Sequence, residues 1–344
     1  MDALRRCVAR RLESGTFRGP LVRAASALWE CAANPVRPLR IPGGTFVVGI
    51  GGATLGGSGK TPTVLALGKL LARCGSAPRS PGVVVVASGY GVRGGPARVV
   101  QGNDPVRAVG DEALMLARGL GPEGIPVVVA GDRQRALGLA ASLGRVVLVD
   151  SLLQAWPRRV GCSVLVLDAD APWGSGRCPP AGDLRASPDR LLAAADAVLL
   201  VRDARTQDGA ERIARGFSGP VLRATGELRG ATAPDGRWLS NAELRASTLG
   251  LLLAVGRPDR IIRSLARRGI APARTVILSD HATPSRVALA RSAFAIGPGP
   301  RLDAWVTTSK CATKLGQCFG GAPVWTLRHA LTLPAAFADL CSVR

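Results

Sequence analysis

Gly51-Gly52-Ala53-Thr54-Leu55-Gly56-Gly57-Ser58-Gly59-Lys60-Thr61 is the stretch that decides how this chain folds. Thr45–Ile50, just before it, is a short apolar run that reads as a strand. Lys60–Arg73, just after it, has helical spacing and stops before Gly75. A strand, a glycine loop and a helix in that order form a phosphate-binding loop. Glycines let successive backbone N–H groups curl around phosphate oxygens where a side chain would collide. The helix N-terminus adds partial positive charge. Lys60 is predicted to reach the β- and γ-phosphates of a nucleoside triphosphate, and the Thr61 hydroxyl to hold Mg²⁺. Thr54, Leu55, Gly56, Gly57, Ser58 and Gly59 complete the predicted cradle. Thr54 stands where the general motif has glycine. Lys60 is one of four lysines in a chain that otherwise takes its positive charge from arginine.

Working outward, short β-branched runs alternate with helical patterns. Strands are predicted at Val83–Ala87, Pro126–Ala130, Arg145–Val149, Ser163–Leu167 and Ala197–Val201. Helices are predicted at Glu112–Arg118, Arg133–Leu143 and near Asp189–Ala195. Continuously apolar strands separated by helices indicate an α/β fold whose parallel sheet is covered on both faces. The rhythm breaks at 220–247, where Pro220–Leu228 and Arg237–Leu239 flank the turn signal Pro234-Asp235-Gly236, so a hairpin or ribbon is expected. It resumes with strands at Leu249–Val255, Thr275–Leu278 and Trp305–Thr308 and helices at Pro258–Arg268 and Pro284–Ala295. The division expected is an N-terminal segment (1–43), a phosphate-loop core (44–219), a linker hairpin (220–247) and a smaller α/β lobe (248–344).

Composition removes several classes. The 344 residues carry a formal charge of +21, nearly all of the excess as arginine, which by itself names no partner. Aromatic residues are 4% and scattered, against the interleaving that base stacking needs, so no nucleic acid is expected. Eight cysteines without a C-x-x-C pair argue against zinc, iron–sulfur and disulfide frameworks, and two histidines exclude a His-rich metal site. No apolar run reaches the ~18 residues of a membrane span. Leu21, Val22, Ala25, Leu28, Trp29 and Ala32 fall at helical spacing, fit either to lie on an anionic membrane or to pack on the body of the protein. No N-K-x-D guanine motif is present, which argues against a GTPase.

Thr54 through Pro62 resembles the T-V-G-G-T-G-K-T-P signature of the tetraacyldisaccharide 4'-kinase family, where threonine also replaces the first glycine. Ser88-Gly89-Tyr90-Gly91 is similar to its S-R-G-Y-G, and Val109-Gly110-Asp111-Glu112 to V-G-D-E-P. Ala130-Gly131-Asp132-Arg133 resembles its strand end with D-R. Asp150-Ser151-Leu152-Leu153-Gln154-Ala155 resembles D-D-G-[FL]-Q-H, Pro180–Arg185 resembles P-A-G-P-L-R, and Ser279-Asp280-His281 its D-H motif. The resemblance spans about residues 44–330. It implies γ-phosphoryl transfer from ATP, with Mg²⁺, to the 4'-hydroxyl of a tetraacylated glucosamine disaccharide 1-phosphate in lipid A biosynthesis. It also implies a peripheral enzyme on the cytoplasmic face of the inner membrane, with an anionic glycolipid substrate and no obligate protein partner.

The roles it implies are Asp111 as base, His281 as its assistant through closure of the two lobes, and Asp150 as the Mg²⁺ carboxylate. Asp168 is the other aspartate ending an apolar strand. Glu112 is either a second metal-side group or ordinary first-turn charge, and the bland alternative for Asp111 is a helix cap. Arg133 and Arg185 could stabilise phosphate charge or be surface arginines, and Tyr90, the only tyrosine, could contact substrate or cap a turn. The chain departs from the family pattern at Ser151, Ala155 and Ala186, and in Thr307–Lys314, which resembles T-T-E-K-D-A-V-K with Ser309 and Cys311 at the acidic positions. With Lys60, Thr61, Asp111, Asp150 and His281 intact, a working kinase is expected. The alternatives are a P-loop NTPase of other specificity, or a degenerate kinase that binds ATP without phosphorylating lipid.

Overall fold

The structure is a computed structural model that describes residues 7–8, 11–74, 82–89, 91–92, 94–203, 213, 216–282 and 300–341. Tyr90 and the helix expected at Pro284–Ala295 lie outside the described residues. Two compact units are present, a larger one of residues 10–226 and 331–344 and a smaller one of residues 227–330 with residues 1–9.

In the larger unit the strands are β1 (Val36–Pro38), β2 (Phe46–Gly52), β3 (Val83–Val86), β4 (Arg98–Val99), β5 (Val127–Val129), β6 (Val146–Asp150), β7 (Gln154–Trp156), β8 (Cys162–Asp168) and β9 (Ala197–Asp203). The helices are α1 (Pro20–Ala32), α2 (Lys60–Cys74), α3 (Val106–Val109), α4 (Asp111–Leu120), α5 (Arg133–Leu143) and α6 (Pro188–Ala193). The sheet runs β9-β8-β2-β6-β3-β5-β4, parallel except for the edge strand β4. Val221–Gly226, the start of β10 (Val221–Thr232), adds alongside β9. Neighbouring residues of one strand serve opposite faces. Val48 and Val85 pack in one core with Leu67, Leu114 and Leu120, while Val47, Val84 and Val86 pack in another with Leu137 and Ala140. Both faces are therefore dry, which is why these strands are continuously apolar.

Helix boundaries follow local chemistry. Asp132 caps α5 by accepting the Gln134 N–H at 2.9 Å, so that helix begins at Arg133 as its sequence predicts. Helix α1 forms where expected and is tied to the body of the larger unit. Ser26 Oγ donates to the Cys178 carbonyl at 2.7 Å, and Arg190 donates to the carbonyls of Glu30, Cys31 and Ala33 at its C-terminal end. Its apolar stripe nevertheless faces outward, with Leu21 84%, Leu28 72% and Trp29 47% exposed.

The smaller unit contains β11 (Trp238–Leu239), β12 (Leu249–Leu253), β13 (Arg274–Ile277), β14 (Ala304–Thr308), β15 (Cys318–Phe319) and, as far as Ala330, β16 (Ala322–Thr332). Its helices are α7 (Asn241–Ala246), α8 (Pro258–Ala266) and α9 (Ser309–Ala312). Strands β13, β12, β14 and β16 lie side by side and parallel. The expected hairpin is present, with Ala231 and Thr232 of β10 opposite Leu239 and Trp238. Residues 331–344, which the sequence pattern gives to the smaller lobe, belong with the larger unit. The reason is hydrophobic: on α10 (Ala336–Cys341), Phe337, Ala338 and Cys341 are buried in the core beside Val64, Leu67 and Leu71 of α2.

Candidate active site

The glycine loop leaves β2 at Gly52 and enters α2 at Lys60. Gly57 and Gly59 hold φ of 70° and 87°, a region that side-chain-bearing residues rarely occupy. Thr54 is buried, and its hydroxyl donates to the Gly56 carbonyl at 2.8 Å, so the threonine that replaces glycine closes the loop on itself. Lys60 Nζ donates to Ser58 Oγ at 3.1 Å.

A second segment straps this loop. Leu55 N–H donates to the Asp183 carbonyl at 2.9 Å, and Arg185 N–H to the Ala53 carbonyl at 2.7 Å. The Arg185 guanidinium adds bonds to the Thr54 carbonyl (2.8 Å) and the Leu55 carbonyl (3.2 Å). Part of its donor set therefore holds the loop in shape, a function that no sequence spacing reveals. Asp183 anchors the strap by accepting from the Ser175 amide and hydroxyl at 2.9 and 2.8 Å.

Asp150 ends β6, the strand beside β2, and its Oδ2 accepts the Thr61 hydroxyl at 3.2 Å. The other strand-end candidate, Asp168, instead accepts the Asp170 N–H at 3.1 Å. Ser151 Oγ donates to Asp150 Oδ1 at 3.3 Å. Burial and the nearby Glu112 carboxylate push the Asp150 pKa up to about 6, against the pull of Lys60, Thr61 and Ser151. A hydroxyl and a buried carboxylate, with a second carboxylate near, are the oxygen donors that a small hard cation takes. Asp150 and Thr61, with Glu112 behind, fit Mg²⁺.

Asp111 is buried as the first residue of α4, not as its cap; Gly110, with φ of 85°, occupies the cap position. An Asp111 oxygen accepts the Glu112 N–H at 3.0 Å. Burial lowers the pKa of Arg133 and of Arg185, and Arg37 repels both while Asp150 attracts them. Arg37, which the sequence reading missed, lines a cavity of about 350 Å³ with Trp29, Lys60, Ser151, Leu153 and Arg185. Gln154 is structural, its Oε1 accepting the Ala155 and Val160 amides at 3.0 and 2.8 Å. His281 lies in the smaller unit, where Asp280 Oδ1 accepts its backbone N–H at 2.9 Å. At the departure Cys311, the thiol accepts the Ala254 N–H at 3.2 Å, supplying an acceptor where the family pattern has a carboxylate.

A glycine loop that hands a lysine and a threonine to a strand-end carboxylate, on a parallel sheet, defines the P-loop class of nucleotide-using proteins. The family model described as Tetraacyldisaccharide-1-P 4'-kinase matches residues 21–342. The tetraacyldisaccharide 4'-kinase of Bradyrhizobium diazoefficiens is 39% identical over 69% of this chain and 66% of its own length. That of Rhodopseudomonas palustris is 34% identical over 88% of this chain and 83% of its own. A crystal structure of LpxK from Aquifex aeolicus in complex with ATP shares the fold, with TM-score 0.61 and 20% identity over 98% of both chains. The chain belongs to the tetraacyldisaccharide 4'-kinase family.

Proposed function

We propose that this chain transfers the γ-phosphoryl group of ATP to the 4'-hydroxyl of a tetraacyldisaccharide 1-phosphate, giving the bisphosphorylated lipid A precursor. The observation that carries the reading is the 3.2 Å bond from Thr61 to Asp150 at the mouth of the loop, in a chain of this family. The loop Thr54–Lys60 binds the phosphates, and Lys60 neutralises charge on the transferring group. Thr61 and Asp150, with Glu112 nearby, would hold Mg²⁺, which when bound would neutralise phosphate charge. Asp111 takes the proton of the 4'-hydroxyl as its oxygen attacks phosphorus; the bridging P–O bond breaks and ADP leaves. His281 assists Asp111. Arg133, Arg185 and Arg37 balance the negative charge of nucleotide and acceptor.

The same reading places the enzyme on the cytoplasmic face of the inner membrane. Support comes from the outward apolar stripe of α1, whose Trp29 also lines the cavity beside Lys60. No helix among the described residues is long and apolar enough to cross a membrane. Transfer of labelled γ-phosphate to tetraacyldisaccharide 1-phosphate in mixed micelles, compared with Lys60→Ala, tests the reading. Transfer that vanishes in the variant is expected. ATP binding without transfer by the unmodified chain would overturn it in favour of a degenerate kinase.

A further inference from the structure

His281 and Lys310 are 29 residues apart, yet the sheet of the smaller unit brings them together. Both lie past the carboxyl ends of parallel strands, β13 for His281 and β14 for Lys310, with β12 between. Lys310 is fixed by the short helix α9. The Thr308 side chain accepts the Cys311 N–H at that helix start, Thr307 Oγ1 donates to the Leu252 carbonyl at 2.6 Å, and the Cys311 thiol accepts from Ala254. From there Lys310 Nζ reaches Asp280 Oδ1 at 3.0 Å and His281 Nε2 at 3.3 Å. Asp280 Oδ2 is 3.7 Å from the same ring nitrogen, beyond a good hydrogen bond.

An ammonium group has three donors and no acceptor. A bond between Lys310 and His281 Nε2 therefore requires a lone pair on that nitrogen, and the ring proton must sit on Nδ1. Protonating Nε2 would turn a second N–H toward the ammonium. The backbone at this residue is also unusual. His281 has φ of 60°, and among the described residues only Ser151 shares a positive φ without being glycine.

We propose that Lys310 is a positioning residue for His281: it fixes the imidazole as the neutral Nδ1–H tautomer, with Asp280 holding the ammonium in place. This rests on the reading above that His281 assists the base, and it sharpens that role. A ring held this way carries its proton on Nδ1 and leaves deprotonation of the acceptor hydroxyl to the base.

The full chain has two histidines, His281 and His329, so ¹⁵N-histidine labelling gives a spectrum of two rings, assigned with His329→Gln. At neutral pH the couplings of His281 should report a protonated Nδ1 and a bare Nε2. Lys310→Met should move the ring toward the Nε2–H form, and Lys310→Arg should retain the original pattern. In the transfer assay Lys310→Met should lower kcat about tenfold with an unchanged KM for ATP. A wild-type ring protonated at Nε2 overturns the proposal, and this needs no variant to fold. An unchanged tautomer in a folded Lys310→Met overturns it as well. A changed tautomer with undiminished kcat would leave the positioning intact and count against His281 in the reaction.

Discussion

Asp150 and Asp280 stand at or just beyond the carboxyl ends of parallel strands, and each precedes a residue with φ of 60°, Ser151 and His281. Their surroundings differ in how charge is met. Asp280 is partly exposed and has the Lys310 ammonium 3.0 Å away, so the protein supplies its counter-charge. Asp150 is buried, accepts the Thr61 and Ser151 hydroxyls and has Glu112 nearby, so its pKa is pushed up to about 6 even against the pull of Lys60. One carboxylate is already balanced and orients a neighbour; the other is under-compensated, which suits the cation-holding role proposed for it. The same backbone device at the two sites serves opposite electrostatic ends.

The comparison is broken most directly at Asp150. Asp150→Asn should lower the transfer rate by about a thousandfold or more, as loss of a metal ligand does, and yet raise the thermal midpoint by a few degrees. The sign follows from the pKa. A folded-state value raised from 3.8 to about 6 means that ionisation opposes folding. The variant's advantage should therefore be absent below pH 4, grow between the two values and reach about 3 kcal/mol above pH 6. Calorimetry across that range checks it; a variant less stable than wild type at pH 7 would show that Asp150 is well compensated after all.

At the partner site the effect should be milder. Asp280→Asn leaves the Lys310 bond to His281 in place but loosens the ammonium, so kcat should fall severalfold with ATP affinity unchanged, read by steady-state kinetics. Ser151→Asp would add the second carboxylate that the family pattern carries. It should reduce the Mg²⁺ concentration for half-maximal rate severalfold while lowering the midpoint measured in chelator. The smallest effect is expected from Ser151→Gly, which relieves the positive φ and should add about 1 kcal/mol in denaturant titration.

The parts legible in the sequence are those whose cause is local. The glycine loop, the capped start of α5 and the doubly buried apolar strands each have a short-range signature, and these position Lys60, Thr61 and Asp150. The strap of Asp183–Arg185 on the loop was not legible, because it is made of carbonyl and amide contacts between segments about 130 residues apart. Arg37 escaped because β1 is three residues long, ends in proline and pairs only with the equally short β7. Two signals were present and unread. Ser240 and Glu243 form a capping box at α7, and Lys310 is one of only four lysines, the argument that had already singled out Lys60. Tertiary pairing decides the first group; closer reading would have found the second.

The return of α10 to the larger unit has a consequence for synthesis. Phe337 is fully buried against the helix that begins with Lys60, and the whole of residues 227–330 is made between the two. On the ribosome, the patch of α2 around Val64, Leu67 and Leu71 waits for its α10 partners until residue 341 has cleared the exit tunnel. The smaller unit has no such debt and can close first, although it is translated later than most of the sheet. The order of translation and the order of completion are thus reversed, and the apolar face of the nascent P-loop helix is the surface a chaperone would have to guard.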